Sequence, residues 1–174
     1  MKTSVLFFGA ILATSAMALP YGTVEKRINE QDVINSINAW INNVDNVNNF
    51  LDAAPGLDPQ DLQSQAETAL DNANDEPIQL QILSDVSGLD ESGQQAANLL
   101  AEVFGNVPTQ LQNIINDPGD SGVVQTALQV INNVRCLNVL PAVTALWAAA
   151  ASASGAPPPP AAEIPQSCQG ISKA

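Results

Sequence analysis

The chain has 174 residues, of which eighteen are acidic, five are basic and none is histidine, for a formal net charge of −13. A protein this acidic has few side chains with which to displace phosphate counterions, so charge-driven binding to nucleic acid or to an anionic membrane is disfavoured. Without histidine, neither a serine or cysteine triad of the ordinary kind nor a histidine-ligated zinc site can be assembled.

The first residues, "MKTSVLFFGAILATSAMALP", place Lys2 ahead of an apolar run from Val5 to about Ala13 and finish in Ala16-Met17-Ala18. That is the layout of a secretory signal peptide cut after Ala18, with an apolar run too short to span a bilayer. Lys26-Arg27 follows, the only adjoining pair of basic residues in the chain. Cleavage after Arg27 leaves Ile28 to Ala174, a 147-residue product in which Arg135 and Lys173 face seventeen acids, a net charge of −15. The expected organisation is a signal peptide over 1–18, a propeptide over 19–27, a helical domain over 28–155 and a proline-rich tail over 156–174. This is one domain's worth of chain. No later stretch reads as a transmembrane helix, "QGISKA" is not a GPI signal, and no Asn-x-Ser/Thr sequon occurs. The expected product is secreted and extracellular.

From Ile28 onward the chain breaks into amphipathic segments at proline and glycine. Val33, Ile37, Trp40, Val44, Val47 and Leu51 alternate spacings of four and three, the seam of a bundle helix, with Asn29 as N-cap and Asp32 three residues on. "LDPQDL" starts a second helix with Asp58 as N-cap, Pro59 at the first helical position and Leu57 stapled to Leu62; Ala66, Ala69 and Ala73 continue its stripe. Glu76-Pro77 opens a third segment that ends at Gly88, and a fourth runs from about Asp90 to Gly105. Pro108 opens a short fifth, closed by "NDPGD"; a sixth carries Val124, Ala127, Leu128, Ile131 and Val134 up to Cys136. Pro141 starts the seventh, "PAVTALWAAAASASG", whose alanines favour helix and let a neighbouring backbone approach closely. No period-two strand pattern of useful length appears. The fold class is therefore all-α: a compact bundle of about six or seven short helices.

Cys136 and Cys168 are the two cysteines, in a chain with the marks of an oxidising compartment. Their pairing closes a loop of 33 residues counted inclusively, a constraint of about 3–4 kcal/mol in the chain-entropy model. The bond is expected to fasten the tail "GAPPPPAAEIPQSC" to the body; free-thiol chemistry is the alternative reading.

Little catalytic chemistry remains. Gly-rich phosphate loops and a Gly-x-Ser-x-Gly elbow are absent. The acids collect near helix starts, where the helix dipole accounts for them without a reaction. The cluster "DNANDE" from Asp71 to Glu76 lacks the glycine and glutamate of a calcium loop and reads as a solvated helix end. The reading is a non-enzymatic protein with no cofactor and no metal.

Two groups of residues are candidate contact points. Trp40 and Trp147 lie on apolar stripes, as core side chains or as the wall of an apolar ligand site. Seven of the seventeen residues in "NSINAWINNVDNVNNFL" are asparagine; Asn38, Asn42 and Asn46 fall on the polar face of the first helix, where amides keep their hydrogen bonding at every pH. They form a candidate contact face for polysaccharide or protein. Asn48 projects toward the apolar side, where a buried hydrogen bond is expected.

The signal peptide, short spacer and Lys26-Arg27 resemble those of a small secreted fungal preproprotein trimmed by a Kex2-type protease. The layout of the helical body resembles the fungal hydrophobic-surface-binding and cell-wall galactomannoprotein family, which is secreted, small, all-helical and poor in aromatics. That resemblance implies binding of a lipid, an apolar ligand, or a hydrophobic or cell-wall surface. The other reading is a secreted effector acting by contact with a host protein or a wall component. The oligomeric state is left open.

Overall fold

The computed structural model describes residues 28–172, in which every regular element is helical. Helix α1 (Glu30–Ala53) begins at a reciprocal cap: the Asn29 side chain accepts from Asp32 N–H at 3.0 Å and the Asp32 carboxylate accepts from Asn29 N–H at 3.3 Å. A 3-10 turn, Ala54–Gly56, leads to α2 (Pro59–Ser84). There Asp58 accepts from both Gln60 N–H and Asp61 N–H at 3.0 Å. Helix α3 (Glu91–Val103) is capped by Asp90 and followed by α4 (Asn106–Asn116); α5 (Ser121–Val134) is capped by Asp120. A π-helical turn, Arg135–Val139, leads from α5 into α6 (Leu140–Ser154). Gly155 ends α6 in the left-handed conformation, φ 80°, which glycine adopts without a Cβ clash.

The segmentation differs from six or seven independent short helices, because three expected breaks are bridged. Pro77 does not start a helix; it lies inside α2. Its ring is on the solvent side, and Ala73, Glu76 and Leu80 hold the opposite face against the bundle, so packing outweighs the lost backbone hydrogen bond. Phe104 and Gly105 keep right-handed helical backbone, with Phe104 N–H bonded to Leu100 O at 3.0 Å, so α3 and α4 follow one path. Pro141 does not interrupt Ser121–Ser154 either. The π-turn just before it, with Leu140 N–H reaching Arg135 O five residues back, widens the helix where a proline ring would otherwise press on the preceding turn. The result, among the described residues, is four rods: α1, α2, α3–α4 and α5–α6.

Neighbouring rods run antiparallel. Ser36 near the start of α1 meets Gln79 near the end of α2 at 2.9 Å, and Asn46 farther along α1 meets Asn72 at 3.0 Å. The core divides into two clusters along the rods. One contains Trp40, Leu83, Leu100, Val143 and Trp147; the other contains Leu51, Ala66, Leu111, Ile114 and Ile131. In the first, Trp40 packs edge-on to Trp147 with centroids 6.1 Å apart and tilted against Phe104 at 5.8 Å. The α3–α6 contact is closer still: a Cβ added at Gly93 would lie 2.6 Å from Ala149 Cβ, so glycine and alanine together set that spacing.

Between the two clusters lies a polar layer. Glu76 sits on the α2 stripe between Ala73 and Leu80, and Arg135 sits on the fourth rod between Ile131 and Val139. Arg135 Nη1 donates to Glu76 Oε1 at 3.1 Å, and Nη2 donates to Asn48 Oδ1 at 3.1 Å. Charges this deep hold only when paired and hydrogen-bonded, and these are.

The segment after Gly155 lies across α1 and α6. Ala162 N–H donates to Thr144 Oγ1 at 3.0 Å, Asn48 Nδ2 donates to Glu163 O at 3.0 Å, and the Asp52 carboxylate accepts from Gln166 N–H and Ser167 N–H at 3.0 and 2.7 Å. The Cys136–Cys168 disulfide completes the attachment.

Candidate functional site

An open groove of about 840 Å³ lies at the end of the bundle where α1 turns into α2. One wall is the Ala54–Pro59 connection with Leu62; the other is α5, entered through Pro118 and Gly119; Ile171 closes one side. Three local features build it. Pro55 and Pro59 bracket a short turn that carries Leu57 above the start of α2. The Asp120 cap fixes the first turn of α5 beside that turn, accepting from Gly122 N–H at 2.9 Å and Val123 N–H at 3.1 Å. The disulfide then holds Cys168 to the fourth rod, which brings Ile171 to the groove edge.

The floor is aliphatic, from Leu57, Leu62, Val124 and Leu128, and all but Leu62 remain partly exposed. Beside that floor α5 presents Ser121, Gln125, Gln129, Asn132 and Asn133. None of the lining side chains is charged, although the described residues carry seventeen carboxylates. The volume falls within the range usual for small-molecule pockets, roughly 300–1,000 Å³. Such a surface can take up an apolar chain and hydrogen-bond a polar head.

No protein-family model matches this chain, and no curated protein or solved structure does either.

The residues singled out in the sequence are dispersed. Trp40 and Trp147 are fully buried in the other core cluster, away from the groove. Cys136 and Cys168 are bonded to each other, and their contribution to the groove is through Ile171. Asn38 and Asn42 are exposed, but Asn46 is tied to Asn72 on α2, and the neighbouring Asn43 donates to Asp75 at 2.7 Å. Part of the asparagine face is thus an interhelical seam, because α2 packs against α1 on that side. Ala18, Lys26 and Arg27 lie outside the described residues.

Among the described residues no group of three or more His, Cys, Asp or Glu side chains gathers into a metal-binding cluster. One helix there, Ser121–Ser154, is long and apolar enough to cross a membrane by length and composition; half of its apolar window is buried inside the bundle.

No local pattern joins the groove residues into one site, because its two walls are separated by about sixty positions. A signal was present on α5, where Val124 and Leu128 sit one turn apart beside the inward stripe of Ala127 and Ile131. An aliphatic stripe wider than one neighbouring rod can cover leaves part of itself exposed.

Proposed function

We propose that this is a secreted, non-enzymatic binding protein that takes up an apolar ligand, or the apolar part of a surface, in the groove between the α1–α2 turn and α5. The observation that carries the reading is the groove's lining: partly exposed aliphatic side chains, a row of amides and no charged group. The aromatic residues, which could have formed a second site, are packed against each other in the core. The segment after Gly155 serves this reading as a strap that holds Ile171 at the groove edge. Release of residues 1–27 from the chain by cleavage after Ala18 and Arg27 belongs to the same proposal, and would leave the Asn29–Asp32 cap intact.

Native mass spectrometry of the protein as secreted by its producing cells tests the reading. The expected result is a co-purifying lipid-sized adduct, or depletion of the protein from solution onto hydrophobic beads, with either effect reduced in Leu128→Asp of unchanged helical circular dichroism. A ligand-free protein that stays in solution over the beads contradicts it.

A further inference from the structure

The groove also carries information about the head group of its ligand. We infer that it selects an uncharged amphiphile, an aliphatic chain ending in a hydroxyl, over an anionic one such as a carboxylate of the same length; this rests on the reading of the groove as an apolar-ligand site.

Three observations point that way. First, no lining residue is charged, and the nearest charges along the chain are acids: Asp58 precedes Pro59, while Asp117 and Asp120 flank Pro118-Gly119. An anion entering there loses water and meets like charge. Second, Arg135, the one basic side chain among the described residues, is 1 % exposed and committed to Glu76 and Asn48. It cannot turn to a ligand without stranding Glu76. Third, the groove's polar groups suit a neutral head that both donates and accepts. Gln125, Gln129, Asn132 and Asn133 make no side-chain hydrogen bond with the described residues. Several amides of α1 and α2, by contrast, are engaged within the bundle, as in Asn46–Asn72 and Gln79–Asp75. Asn132 Oδ1 is withdrawn from solvent with no donor. A hydroxyl can supply the missing proton and a carboxylate cannot.

Lys173 lies outside the described residues, two positions beyond Ile171, and a carboxylate ligand is the probe that would recruit it. The test is therefore a pair of probes of equal chain length, 1-decanol and decanoate, titrated by calorimetry into the secreted protein at pH 7.5 below their aggregation limits. Decanol is expected to bind at least about tenfold more tightly than decanoate, the signature of an anion that loses water without gaining a cationic partner. Leu128→Asp and, separately, Val124→Asp, each checked for retained helicity, should abolish decanol binding. Decanoate binding as tight as decanol, with or without loss in Lys173→Ala, overturns the head-group inference while leaving apolar binding intact. Binding of neither probe overturns the inference and the apolar-ligand reading together. Decanol binding unaffected by both aspartate variants overturns the assignment to this groove.

Discussion

Arg135 and Glu76 meet at 3.1 Å with 1 % and 2 % of their side-chain surfaces exposed, a buried ion pair between the two apolar core clusters. Removing one partner strands the other charge in the interior. Glu76→Leu or Arg135→Met alone should therefore lower stability by about 3–5 kcal/mol, whereas the double variant should recover most of the loss. Urea unfolding of the three variants checks this; single and double changes of equal cost would mean the pair does not act as a unit.

Asn48 joins that pair to the strap, accepting from Arg135 and donating to Glu163 O. Asn48→Leu should cost about 1–3 kcal/mol, since Arg135 loses an acceptor and the strap loses its donor. Limited proteolysis should then cut within residues 156–166 sooner than in the parent. Reducing the disulfide in the parent should accelerate the same cleavage, because the strap then depends on its hydrogen bonds to Asn48, Asp52 and Thr144.

Gly93 and Ala149 set the α3–α6 distance. Gly93→Ala places a methyl 2.6 Å from the Ala149 methyl and should destabilise by about 1–3 kcal/mol despite alanine's better helix propensity. Ala149→Gly in the same chain should restore part of that. A thermal shift in the stabilising direction for Gly93→Ala alone would show that the two rods can move apart freely.

Pro77 is exposed within a continuous helix, so its cost is not offset by packing of its own ring. Pro77→Ala should raise stability, by up to about 3 kcal/mol. Chemical denaturation reads the change, and a loss of stability would mean that the proline shapes α2 in a way the straight helix cannot reproduce.

Asn38 and Asn42 are exposed and, unlike Asn46, make no hydrogen bond across to α2. Changing both to Ser should leave groove binding unaltered; a reduced affinity for decanol would place them in the ligand's path.

Much of the bundle could be read along the chain. The α1 seam from Val33 to Leu51, the caps at Asn29 and Asp58 and a helix start near Asp90 are local signals, and each is found where periodicity and side-chain chemistry put it. Proline was the misleading mark. At Pro59 it does open a helix, but at Pro77 and Pro141 the surrounding apolar stripes continue on either side, and tertiary packing carries the helix through. The polar layer had a trace in the sequence too. Ala69, Ala73, Glu76, Leu80 and Leu83 step by four, three, four and three, so the acid stands on the inward stripe; Arg135 does the same between Ile131 and Val139. Which acid meets the arginine depends on how the rods stack, and no local pattern encodes that. The groove is less legible for the same reason: its walls come from residues 54–62 and 118–133, and it exists only once the first and fourth rods are side by side.

The central claim is that an apolar ligand occupies this groove and not the aromatic core. Methyl-resolved NMR of the protein during a 1-decanol titration tests it most directly. The account predicts saturable shifts at Leu57, Leu62, Val124, Leu128 and Ile171, with Val143 and Leu146 beside Trp147 unmoved. Shifts centred on Val143 and Leu146, with the groove methyls silent, would contradict it.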